Sequence, residues 1–230
     1  MPPTLSPAVE RLSIDVKTKV RKYLNAGKRV VASSSFQTHS IPMLSLLASV
    51  DRTIPVCFLD TGFHFPETLK YRDEVTEHLG LSLRNLTAAI PKSQQRTTAG
   101  LLLFTSDPDY CCALNKTLPM ETVLAENDVW ITGVRGDQSN TRAGFVEEMP
   151  GPFGTTRFHP MLGWTKGDIW NYVSHHDLPR HPLGELGYES VGCVPCTRAP
   201  SLDGEERDGR WSGLNKSECG LHTELIGERE

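Results

Sequence analysis

The stretch IPVCFLDTGFHFPETLKYRDEVTEHLG (residues 54–80) decides the fold. Its first half, IPVCFLD, is a continuous apolar run without polar alternation, the pattern of a strand buried on both faces. A loop, TGFHFPET, follows, and then a segment with amphipathic helical spacing. Strand, loop and helix in this order make half of a βαβ unit, so its neighbours should repeat the pattern. Upstream they do. RVVASSSF (29–36) reads as a short strand running into a polar loop, and IPMLSLLASV (41–50) as a helix with Pro42 tolerated in its first turn. Before them, Val9, Leu12, Val16, Val20 and Leu24 recur at helical spacing, with a stop signal at Gly27. Downstream, LSLRNLTAAI (81–90) and DVWITGV (128–134) read as a third and a fourth strand. TKGDIWNYVSHHDL (165–178) reads as a helix capped by Thr165, with Asp168 in its first turn. The expected class is α/β with a Rossmann-like parallel sheet over residues 1–200. A loop-rich, charged C-terminal extension occupies residues 201–230.

The 230 residues, 38% hydrophobic and 23% charged, suffice for one sizeable core. A net charge of −4 provides no global field to attract nucleic acid, so an anionic ligand would need local cations. No apolar run approaches the roughly 20 residues that span a bilayer. The opening MPPTLSPAVERLSIDV lacks the order of a secretory signal. The expectation is a cytoplasmic protein with no membrane or nucleic-acid partner, whose six cysteines are reduced and used for metal binding or catalysis.

In parallel sheets ligands sit beyond the carboxyl ends of the strands. Three polar stretches fall there: SSSFQTHS (33–40), DTGFHFPET (60–68) and RGDQSNTR (135–142). The first offers hydroxyls and backbone N–H groups at a helix start, suited to a phosphate-like group, although it lacks the Walker A pattern and alone reads first as an ordinary polar turn with a serine cap. The third places Arg135, Gln138 and Arg142 where guanidinium forks match phosphate or sulfate oxygens; alone it also reads as a solvated loop. DYCCALNK (109–116) and GCVPCT (192–197) supply Cys111, Cys112, Cys193 and Cys196, a thiolate set for Zn²⁺ or an iron–sulfur cluster. Adjacent side chains diverge, which suits separate irons of a [4Fe–4S] cubane better than one Zn²⁺. Cys57 lies inside the apolar run and reads as core. Cys219 is left over, in a polar tail near Arg207, Arg210 and His222; positive neighbours favour its thiolate, the reactive form.

In chain order, SSSFQTHS, LDTGFHFPET, CCALNK, GVRGDQSNTR, GYESVGCVPCTR, GRWSGL and ECGLH resemble the assimilatory adenylyl-sulfate reductases of the adenylylsulfate/phosphoadenylylsulfate reductase family. The resemblance runs from about Val30 to His222. It implies a fold of the adenine-nucleotide alpha-hydrolase (PP-loop) type and a [4Fe–4S] cluster on Cys111, Cys112, Cys193 and Cys196. It also implies Cys219 as nucleophile, Lys116 between cluster and substrate, Arg207 and Arg210 on the phosphosulfate, and His222 nearby. Ser33, Ser34, Ser35, Ser40, Asp60, Gly62, Arg135, Gln138 and Arg142 match nucleotide-site positions. The implied reaction converts adenosine 5′-phosphosulfate (APS) to sulfite and AMP through an enzyme S-sulfocysteine, with thioredoxin or glutaredoxin as reductant. A homo-oligomer is compatible with it. The serine-rich first loop departs toward members that use the 3′-phosphorylated substrate (PAPS), though with Gln37 in place of their glycine, so PAPS stands as the alternative. Two rival classes are a tRNA-thiolating enzyme, which would need an intact ATP loop, and a nucleotide sensor stabilised by structural zinc.

Overall fold

The computed structural model describes residues 3–199, 206–211, 216 and 218–222. Six strands form one sheet: β1 (Val30–Ser33), β2 (Pro55–Leu59), β3 (Ser82–Leu86), β4 (Val129–Thr132), β5 (Glu148–Pro150) and β6 (Thr156–Phe158), in the order β3-β2-β1-β4-β6-β5. All pairings are parallel except that of β5 with β6. Strand order reverses direction between β1 and β4, which opens a crevice at their carboxyl ends. Ser33 pairs with both Cys57 and Thr132, so β1, β2 and β4 end level with one another.

Alternation along the strands divides the core. Val30, Ala32, Val56, Phe58 and Ile131 face one side, where α1 (Pro7–Asn25), α2 (Ile41–Val50), α3 (Pro66–Leu79) and, later in the chain, a helix at Lys166–His175 bury their apolar faces. Val31, Cys57, Leu59 and Trp130 face the other side and pack on Met120, Val123 and Leu124. Cys57 is fully buried there, as expected of a core residue, and burial pushes its thiol up to about 11. Leu221, from the C-terminal segment, belongs to this second core, with Cys219 packed against it.

Local signals set the helix ends. The Ser6 hydroxyl accepts from the Val9 N–H, and Pro7 opens α1. α3 stops at Gly80, whose φ of +63° takes the left-handed turn. Residues 103–124 form a broken helical run that the sequence reading left unassigned: α4 (Leu103–Ser106), α5 (Pro108–Cys112), a π-helical turn at Ala113–Thr117 and α6 (Leu118–Leu124). A short α7 (Asn140–Ala143) follows β4, and α8 is the Lys166–His175 helix, closed by a reciprocal capping box between Thr165 and Asp168. β3 ends at Leu86, short of the expected 81–90, and β5 and β6 are additions. Among the described residues no helix is long and apolar enough to cross a membrane.

Candidate active site

An open cleft lies at the carboxyl ends of β1, β2 and β4, the usual place for a ligand in a parallel sheet. The three polar loops converge on it. From the first come Ser33, Ser34, Ser35 and Ser40. Phe36 adopts φ +51°, a left-handed turn strained for an aromatic residue, and is held by burial against Phe58. The hydroxyls also shape the loop: Ser34 Oγ accepts from the Phe36 N–H at 3.0 Å, and Ser33 Oγ accepts from Trp130 Nε1–H at 2.8 Å.

The second loop delivers His64 to the cleft. Asp60 and Gly62 do not line it. Asp60 Oδ1 instead accepts from the Gly62 N–H (3.0 Å), and Gly62 at φ +69° completes a tight turn. That turn sets Thr61 Oγ1 at 3.2 Å from Cys193 Sγ, while Val194 N–H donates to Phe63 O at 2.7 Å. In the third loop, Gln138 and Arg142 reach the cleft. Arg135 does not. It is 1% exposed, its guanidinium bonded to Asp137, Glu206 and His39. Its neighbours, rather than a ligand, satisfy the fork.

Cys219 and His222 line the same cleft as Lys116, Arg207 and Arg210. The Cys219 thiol is half-buried and held well below its ordinary pKa, first by a hydrogen bond from Cys112 and then by Lys116, the Leu221 N–H and Arg210, against the opposing effect of burial. Burial alone would lower the Lys116 ammonium, but the neighbouring sulfurs of Cys193, Cys219 and Cys112 outweigh it and raise the group. Burial lowers Arg210, and lowers Arg207 to about 10, which leaves Arg207 cationic at neutral pH. Arg210 is threaded through the Cys193–Cys196 turn: its Nε donates to Cys196 O at 3.3 Å, and its guanidinium lies 4.5 Å from the Trp211 ring centre. Backbone bonds Arg198 N–H to Gly209 O (2.8 Å) and Trp211 N–H to Cys196 O (3.1 Å) tie the two segments together.

Cys111 and Cys112 end α5, and Cys193 and Cys196 flank a 3₁₀ turn. Burial, then Cys193 and Cys196, push the Cys111 thiol up to about 11; burial and Cys193 raise Cys196. Three of the four thiols therefore crowd one another, while Cys112 turns to Cys219. Among the described residues, no three His, Cys, Asp or Glu side chains are grouped closely enough to hold a single metal ion.

Residues 29–199 match the phosphoadenosine phosphosulfate reductase domain. The chain belongs to that family. It is 38% identical to an adenosine 5′-phosphosulfate reductase of Chelativorans sp., across 96% of this chain and 94% of the relative. It is 40% identical to a phosphoadenosine 5′-phosphosulfate reductase of Gloeobacter violaceus, across 85% and 83%. Among solved structures, a phosphoadenylyl-sulfate reductase from Candida auris superposes with a TM-score of 0.66 at 19% identity, over 84% of this chain and 98% of that one. An FMN adenylyltransferase from Candida glabrata gives 0.62 at 15%, over 97% and 76%. Both likenesses speak to the fold alone.

In this family member several residues around the cleft escaped the sequence reading. Arg157 on β6 is fully buried beneath it, 4.4 Å from the Trp130 ring, and its Nη2 donates to His222 Nδ1 at 2.5 Å. Burial lowers Arg157 to about 9, so it stays charged at neutral pH and fixes His222 as the neutral tautomer with its proton on Nε2. His159, two residues on, stacks on Phe145 and pairs with Thr132 Oγ1. Glu206 and Glu218 hold the arginines of the third loop. A basic residue on an unrecognised three-residue strand gives no local sign of burial.

Proposed function

We propose that this protein reduces adenosine 5′-phosphosulfate to sulfite and AMP through an S-sulfo intermediate on Cys219. The observation that carries the reading is the convergence of Cys219 with Lys116 and Arg210 on a cleft whose other wall is the serine loop. The relatives' names support the substrate class, and the Gloeobacter relative together with the serine-rich loop supports PAPS as an alternative.

Ser34, Ser35 and Ser40 receive the nucleotide's phosphate end near the start of the helical segment that runs into α2. Cys219 thiolate attacks the sulfonyl sulfur. The sulfur–oxygen bond to the phosphate breaks, and its electron pair leaves with AMP. Lys116, Arg207 and Arg210 offset charge on the leaving phosphate and the transferring group, and His222 Nε2–H is a further donor on the cleft wall. A thiolate of thioredoxin or glutaredoxin then attacks Cys219 Sγ. Sulfite departs with the sulfur–sulfur electron pair, and the second thiol of the reductant resolves the mixed disulfide. Two thiols supply the two electrons.

Cys111, Cys112, Cys193 and Cys196 would hold a [4Fe–4S] cluster. The donor set fits one: four cysteines come from the end of α5 and the Cys193–Cys196 turn, and Thr61 Oγ1 and Asn115 Nδ2 lie at 3.2 and 3.6 Å from Cys193 and Cys111 Sγ, as outer partners do. When bound, such a group supplies structural and electrostatic support, since the electrons come from thiols.

Anaerobic purification, incubation with APS or PAPS, and intact-mass measurement test the reading. A stable SO₃ adduct that thioredoxin removes, absent from Cys219→Ser, is expected; no adduct with either nucleotide sinks it. Initial rates with each nucleotide decide the preference, and iron and sulfide analysis decides the cluster.

A further inference from the structure

The residue before Cys219 is the most completely bonded carboxylate of the site. Glu218 is 3% exposed. Arg142 grips it with a two-pronged fork, Nε to Oε1 at 3.0 Å and Nη2 to Oε2 at 3.1 Å. Arg207 Nη2 donates to Oε2 at 3.0 Å, and Ser139 Oγ donates to Oε1 at 2.7 Å. A second carboxylate of the C-terminal segment, Glu206, accepts from Arg135 Nη2 and Gln138 Nε2, each at 3.0 Å. The third loop therefore meets the C-terminal segment through two acid–base contacts, that of Glu218 buried and that of Glu206 half-buried. They lie on either side of the Arg207–Trp211 stretch that carries Arg210 to the cysteines.

We propose that Glu218 is the positioning residue for Cys219. This rests on the reading of Cys219 as nucleophile. Consecutive Cα atoms are about 3.8 Å apart, so a carboxylate fixed by three donor side chains fixes the backbone at which the nucleophile starts. Charge-assisted fork bonds are short and directional, and hold orientation as well as distance. On the other side of Cys219, the His222 N–H donates to Cys219 O at 2.8 Å and Leu221 is in the core, so the thiol is held from both directions. Arg142 and Arg207, matched to the substrate by resemblance, thereby acquire a second duty: they hold the tail closed. Glu218 touches no reacting atom and acts through the residue beside it.

The test uses full-length protein purified anaerobically, with Glu218→Gln and Arg142→Lys. Three quantities are read: the single-turnover rate of S-sulfocysteine formation at saturating APS, the affinity for AMP, and deuterium exchange of the peptide covering residues 216–222. A displacement of about an ångström at a reacting atom can cost on the order of 100-fold, so Glu218→Gln is expected to slow adduct formation at least about tenfold. AMP affinity is expected to fall less than the adduct rate, because Arg142 and Arg207, which Glu218 holds, keep their charge in the variant while the backbone at Cys219 is released. Exchange of the tail peptide is expected to rise, and Arg142→Lys, which keeps the charge and loses the fork, to move the same way. Should Glu218→Gln fail to fold, Ser139→Ala, which removes one bond to Glu218 together with the cap on the Arg142 N–H, is expected to give a smaller shift in the same direction. An adduct rate within about threefold of wild type, unchanged exchange, or a loss of AMP affinity as large as the loss of rate overturns the proposal. If wild-type protein forms no adduct, the reductase reading fails, while the exchange of the tail still decides whether Glu218 holds it.

Discussion

At Gly192 a side chain has no room. A Cβ would stand 2.3 Å from Arg210 Nη2 and 2.6 Å from its Cζ. Gly192→Ala is therefore expected to push Arg210 off the cleft and slow adduct formation at least about tenfold with the sheet intact, read by single-turnover rate and far-UV circular dichroism. His181 offers a test of stability away from the chemistry. Its Nδ1 accepts from the Leu183 N–H and its Nε2 bonds Thr68 Oγ1, so the buried ring is fixed in its neutral form, and burial lowers it to about 4. The unfolded chain takes up this proton near pH 6.5 and the folded one does not. Stability is thus whole above pH 6.5 and lost as pH falls toward 4, by about 1.4 kcal/mol per pH unit and up to about 3 kcal/mol in all. His181→Gln should flatten that acid limb in urea unfolding measured from pH 7 to 4.5. Single residues differ in how readable they are. Cys219, Lys116 and Arg210 stand in polar, glycine-marked segments, where their chemistry is conspicuous. Glu206, Glu218 and Arg157 look like surface charges in sequence, because what buries them comes from 65 to 76 residues away.

Among the elements, the π-helical turn Ala113–Thr117 does the most for the site. It interrupts the helical run between Cys112 and Lys116 and lets the lysine reach the cleft while both cysteines stay on the preceding turn. A reciprocal amide pair holds it: Asn115 Nδ2 donates to Gln95 Oε1 at 2.6 Å, and Gln95 Nε2 to Asn115 Oδ1 at 2.9 Å, with Asn115 Nδ2 also bonded to Cys111 O. Asn115→Ala leaves a buried Gln95 oxygen without its donor, and about 2 kcal/mol of stability should go in denaturant unfolding. The long helices and the first four strands were legible because their periodicity is local. β5 and β6 were not. Three residues apiece, with Gly151, Pro152 and Gly154 between them, they are strands only because β6 pairs with the edge of β4 and β5 with β6.

Across the whole molecule, a chain of net charge −4 must admit an anionic nucleotide. Lys116, Arg207 and Arg210 provide a local field of the opposite sign at the cleft. Raising salt from about 50 to about 500 mM should therefore lower kcat/KM severalfold, while the buried contacts that set kcat are screened far less; steady-state kinetics across the series checks this. The same distinction bears on the Glu218 clamp. In the proposed mechanism, attack needs Cys219 inside the cleft, whereas reduction needs its sulfur within reach of a second protein. One contact thus governs two steps with opposite demands. Weakening it starves the first step and tightening it stalls the second, so turnover passes through a maximum at an intermediate grip. Variants selected for speed should cluster around that grip from both sides, and their rate-limiting steps should change over from sulfur transfer to release as it tightens.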